Sequence, residues 1–151
     1  MESFQILIGK KILQYEPIIL VAIAFSILLK NFQLPYSDTV IVFTFGIVGV
    51  LYYFTQFAFI QNEKANGFDN FFNKLAAISS AVLVIGVLFK LLHWPGAGPM
   101  LIAGLPALAI SLIYLVFNMK KIENGTFSKW MLIRLNLILL LGLAHVYQIF
   151  M

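Results

Sequence analysis

Cysteine is missing altogether from this 151-residue chain, and charge is scarce at 11%. The first absence excludes disulfides, thiolate metal sites and cysteine nucleophiles. The second excludes a water-soluble globule, which carries about a quarter charged residues. With 62% hydrophobic residues and a mean hydropathy of +0.97, too little polar surface remains to coat one. The solvent is lipid. Nucleotide, hydrolase and zinc signatures are absent as well, so no enzyme, cofactor or metal is expected. The net charge of +4 comes from lysines scattered at the ends of apolar runs, not from a basic stripe, and nucleic acid is not expected as a partner.

What is present is a set of long apolar runs. A bilayer core needs about 20 apolar residues per helix, and five runs qualify: Ile18–Leu34, Thr39–Ile60, Leu75–Trp94, Met100–Met119 and Trp130–Phe150. Lipid offers no partner for exposed backbone groups, and the alternation of a barrel strand is missing, so all five are predicted as helices. The expected fold is an all-α integral membrane protein of five transmembrane helices. Its units are an amphipathic segment 1–16, hairpins over 17–67 and 68–127, and a fifth helix over 128–151. Asp38, Asp69 or Asn70, and Ser128 are expected as helix caps, and Gly67 and Gly125 as left-handed stops. Phe4, Leu7, Ile8, Ile12 and Tyr15 recur at helical spacing, which makes the first segment either an interfacial helix or the opening turns of a tilted span. Lys10-Lys11 ahead of Ile18–Leu29 imitates a signal peptide, but no small-residue cleavage site follows.

Eight of the ten lysines and arginines fall on one side: Lys10, Lys11, Lys64, Lys74, Lys120, Lys121, Lys129 and Arg134, against Lys30 and Lys90. This bias predicts a cytoplasmic amino terminus and a carboxyl terminus on the outer side. The sequon at Asn124 then lies inside and is read as chance.

A shift of 60 residues lays Leu28-x-Lys30 over Leu88-x-Lys90, Pro35 over Pro95, Phe57 over Phe117 and Glu63 over Glu123. The recurring Lys-x4-Pro spacing points to a duplicated hairpin, two parallel copies related by an axis along the membrane normal. Small residues at Gly46, Gly49, Ala77, Ala81, Ala103 and Ala107 are expected to let helices approach closely. Asn136, Thr44, Gln56, Ser79, Ser80, Ser111 and His145 are expected to bond between helices. Pro106 should kink its span as a hinge or by packing alone.

Lys30 and Lys90 are the charges nearest the hydrocarbon. A lysine at mid-bilayer costs roughly 2.5–3.5 kcal/mol, so each is either a snorkelling residue or part of an ion or ligand path. His93 and Trp94 beside it read as interfacial, with a proton relay as the other reading of His93. Pro95, Gly96 and Pro35 mark the turns. The carboxylates Glu2, Glu16, Asp38, Glu63, Asp69 and Glu123 all lie in tails, in loops or at span ends, which argues against a coupling-ion site in mid-membrane.

The stretch Val84-Ile85-Gly86-Val87-Leu88-Phe89-Lys90-Leu91-Leu92-His93-Trp94-Pro95-Gly96-Ala97, followed by Met100-Leu101-Ile102-Ala103-Gly104-Leu105, resembles the amino-terminal hairpin of the GldL/PorL family. These are inner-membrane proteins of gliding motility and type IX secretion in the Bacteroidetes, so the resemblance implies a bacterial inner membrane and makes the outer side periplasmic. The resemblance implies a helical protein that oligomerises around a GldM-like partner and draws on the proton gradient, with Lys90 matching the family's intramembrane lysine. Where the family has a membrane glutamate, this chain has Leu108. The long cytoplasmic tail is replaced by further spans. The expectation is a GldL-related, non-catalytic scaffold or interaction subunit in the bilayer, a homo-oligomer or the partner of another membrane protein. The alternative is an ion-coupled motor or transport component using Lys90.

Overall fold

A computed structural model describes residues 2–57, 66–120 and 129–150. Among them are six α-helices: α1 (Glu2–Gln14), α2 (Glu16–Asn31), α3 (Ser37–Phe54), α4 (Gly67–Leu91), α5 (Ala97–Phe117) and α6 (Lys129–Phe150). A single 3-10 turn, Thr55–Phe57, extends α3. Helices α3 to α6 are each long and apolar enough to cross a membrane. The bent pair α1–α2 makes a fifth crossing only if counted as one span. Over the first predicted span, α2 alone has 16 residues, short of the length a bilayer asks of one helix.

The break has a local cause. Pro17 has no N–H to give to Leu13, so the ladder stops there. Tyr15 closes α1 by donating its N–H to Lys11 and Ile12 at 3.1 Å, and its carbonyl then accepts from Ile18 and Ile19 to open α2. The axes of Phe4–Gln14 and Glu16–Asn31 differ by 63°. Helix α1 is two-faced, but the face differs from the one its spacing predicted: Ile6, Ile12 and Leu13 are buried, whereas Phe4, Leu7 and Tyr15 of the expected apolar set lie outside with Lys10 and Lys11.

The core runs through the middle of the bundle, with Ile41, Phe45, Leu83, Val87, Leu101, Leu108 and Leu135 at or near zero exposure. Large apolar side chains also cover the outside, among them Val21, Phe25, Phe43, Ile102 and Leu140. Such a surface is stable only in lipid. Close approach is carried by glycine, at partly different positions from those expected. A Cβ on Gly49 would lie 2.7 Å from Ile85, and one on Gly104 would lie 2.8 Å from Leu83. A Cβ on Gly46 would meet nothing within 4 Å and Ala103 is exposed; Ala107 and Ala81 are half-buried and Ala77 is fully buried.

The predicted caps shift as well. Asn66, not Asp69 or Asn70, sits at the start of α4, and the Asp69 carboxylate accepts its N–H at 2.9 Å. Gly67 opens that helix and stops none. Tyr36 precedes α3 in place of Asp38, which lies in the first turn. Gly125, Ser128 and the Asn124 sequon lie outside the described residues. Helix α5 continues through Pro106 without interruption.

Candidate functional site

Three polar groups stand out in a molecule this apolar. Two are the corners joining α2 to α3 and α4 to α5, and they share one backbone. In the first, Gln33 has φ of +51°, with bonds from Gln33 N–H to Lys30 O at 3.0 Å and from Leu34 N–H to Leu29 O at 3.3 Å. In the second, His93 has φ of +56°, with bonds from His93 N–H to Lys90 O at 3.1 Å and from Trp94 N–H to Phe89 O at 2.7 Å. Each is a Schellman helix end, with a left-handed residue and a six-to-one hydrogen bond, and the second adds an apolar clasp. The clasp in the second corner is Trp94 packed edge-on to Phe89 at 5.4 Å. Proline follows in both, and a second left-handed residue, Tyr36 (+67°) or Gly96 (+98°), launches the next helix. Lys-x2-His-Trp-Pro-Gly is therefore the written form of a helix stop and restart.

The corners differ in charge. Lys30 pairs with Asp38 across the first turn. Sixty residues on, Lys90 has Gly98 in Asp38's place and no ion-pair partner among the described residues. Lys90 is half-buried, in a groove of about 290 Å³ with His93, Trp94, Gly96, Ala97 and Gly98. His93 also lines a larger, polar groove of about 520 Å³ with Lys30, Gln33, Tyr36 and Asp38, so the two corners sit side by side at one end of the bundle.

The third group lies at the opposite end of the helices. Glu16, in the first turn of α2, is 0% exposed, and Arg134, in the second turn of α6, is 1% exposed. Arg134 Nη1 stands 2.9 Å from Glu16 Oε1, and the guanidinium carbon is 4.8 Å from the centre of the buried Tyr52 ring. Glu16 does lie at a helix end, as expected, but inside the bundle rather than at its surface. Arg134, counted among the loop charges, is a core residue. Isolated, either charge would be costly there; paired and stacked on an aromatic ring, both are tolerated. Elsewhere, Asp69 accepts from Tyr114 Oη at 2.6 Å, Tyr114 stacks on Phe72 at 3.9 Å, and Asn73 Nδ2 donates to Gln56 O at 3.4 Å.

Most of the expected interhelical glue is local instead. Ser79 and Ser80 donate to Ala76 O, Ser111 to Ala107 O, and Asn136 to Leu132 O, while His145 Nδ1 lies 2.8 Å from Leu141 O. Each uses a carbonyl three or four residues back in its own helix, the nearest acceptor that lipid and apolar neighbours leave available. Gln56 does join two elements, through its backbone carbonyl. Among the described residues, no three His, Asp or Glu side chains converge as a metal site.

A helical bundle with a greasy exterior, polar corners and a charged pair sealed inside belongs to the polytopic membrane proteins. Residues 75–131 match the family model of the GldL N-terminal domain, and the chain is GldL-like through that segment. The match takes in most of α4, the second corner, α5 and the first turn of α6; Glu16, Tyr52 and Arg134 lie outside it. No curated protein and no solved structure matches the chain.

Proposed function

We propose that this protein is a non-catalytic interaction subunit of a membrane complex, and that the second corner is where it meets its partner. The observation that carries the reading is Lys90: an ammonium half-sunk in a groove, at the one corner whose internal counter-charge has been replaced by glycine. A cation at the edge of the hydrocarbon gains most from a carboxylate delivered by a neighbour, either a second copy or a GldM-like membrane protein. Leu108, buried where the resemblance implies a glutamate, leaves Lys90 without that acidic group in its own chain. The equivalent backbones of the corners support descent from one duplicated hairpin. The lysine bias of the other end supports placing the corners on the periplasmic face of an inner membrane.

The reading is tested by co-purification in mild detergent from the native host. Lys90→Leu should lose the partner while the subunit itself keeps its level. Gly98→Asp should do the same by supplying the missing carboxylate from within; Gly98 has open space for a Cβ and lies in a helix's first turn, where an acid is welcome. Lys30→Leu should leave the complex intact. Retention of the partner by both second-corner variants refutes the reading. A second reading, an ion-coupled motor or transport component, draws on the same unpaired Lys90. Its signature is a Lys90→Leu complex that assembles fully but has lost motility or secretion.

A further inference from the structure

We infer that the Glu16–Arg134–Tyr52 cluster is a water-binding site inside the bundle, set where the first transmembrane segment breaks. Six buried side-chain polar atoms lack a hydrogen-bond partner among the described residues, and five are here: Glu16 Oε1 and Oε2, Arg134 Nε and Nη1, and Tyr52 Oη. Charge alone does not satisfy them. Nη1 and Oε1 stand within ion-pair distance and the guanidinium lies over the Tyr52 ring, but Glu16 Oε2, Arg134 Nε and Tyr52 Oη still have no partner among the described residues. The set has acceptors on the carboxylate, donors on the guanidinium and a phenol that does either. Water is the ligand that matches such a mixture, since one molecule both donates and accepts and needs two to four polar partners. A metal cation would serve the carboxylate and oppose the arginine. A carboxylate or phosphate would do the reverse.

The break in the helix explains how such a site arises. At the equivalent place in the second hairpin, α4 runs unbroken through Ala76 and Ala77, both fully buried, and neither position carries a charge. In the first hairpin the same two positions are Glu16 and Pro17. Proline opens the ladder, and the glutamate at the break meets an arginine from α6, which neither hairpin includes. A hydrated carboxylate–guanidinium pair holds exchangeable protons within the bundle. The inference stands apart from the reading of Lys90, because none of its residues lies in the GldL-like segment.

Arg134 is the only arginine in the chain, so selective 15N-arginine labelling reports on this site without any substitution. Water-edited solid-state NMR of the full chain in lipid bilayers is the experiment. The Arg134 Nε signal should build up from water several-fold faster than the amide of Leu135, a fully buried neighbour labelled in a second sample. Equal and slow build-up at both means a dry ion pair and overturns the inference. Equal and fast build-up means an end open to solvent and overturns it too. Tyr52→Phe keeps the ring and removes one polar partner, and it should slow the Nε build-up while leaving Leu135 unchanged; no change would also count against the site.

Discussion

The two hairpins share a backbone plan and place their charges at opposite ends of it. In the first, the corner is neutralised within the chain by Lys30 and Asp38, and the charge of consequence lies inside, where the broken helix presents Glu16 to Arg134. In the second, the helix is continuous, alanines stand at the two matching positions, and Lys90 at the corner has Gly98 where the first corner has an acid. Two local substitutions, Glu-Pro against Ala-Ala and Asp against Gly, account for the contrast. The first hairpin pairs its charges within its own chain; on the reading proposed above, Lys90 of the second is left for a neighbour.

The comparison breaks most readily at Arg134. Arg134→Met with Glu16 retained leaves a lone buried carboxylate and should cost about 3–5 kcal/mol, measured as reversible unfolding in mixed detergent. The double variant Glu16→Gln/Arg134→Met should recover most of that loss. A single variant as stable as the parent would mean that the pair is not buried. Next in size is packing within the second hairpin. Gly104→Val pushes a side chain into Leu83 and should cost about 1–3 kcal/mol, whereas Gly46→Val, facing open space, should change the midpoint little. The corners come third. His93→Gly relieves a left-handed conformation and should gain about 1 kcal/mol; Gly96→Ala should lose a similar amount, since its φ is +98°. Smallest is Asp38→Asn, which breaks an exposed pair worth roughly 0–1 kcal/mol. A larger loss there would show that the first corner depends on its charges as the second does not.

Much of this was legible in the chain, because lipid leaves few choices. Apolar runs longer than a soluble helix needs locate α3 to α6 to within a few residues at most boundaries, although α4 begins eight residues before its predicted start. The corner spacing was readable because a Schellman end followed by proline restricts which residues fit. Depth and pairing were not readable. Glu16 stands beside Pro17 at the edge of an apolar run and looks like a boundary residue; only its distant partner reveals that it is internal. The available signal was that the sole arginine sits inside a span, among leucines, where an unpaired guanidinium is not tolerated. The serines and Asn136 misled for a simpler reason. Composition tells which side chains have hydrogen bonds to give, but not that the nearest carbonyl belongs to the same helix.

The shortness of α2 has a consequence for the lipids around it. Sixteen residues rise only about 24 Å, against roughly 30 Å of hydrocarbon. Acyl chains beside α2 are compressed, and the protein is expected to be drawn towards thin patches of membrane and to neighbours that relieve the mismatch along that side.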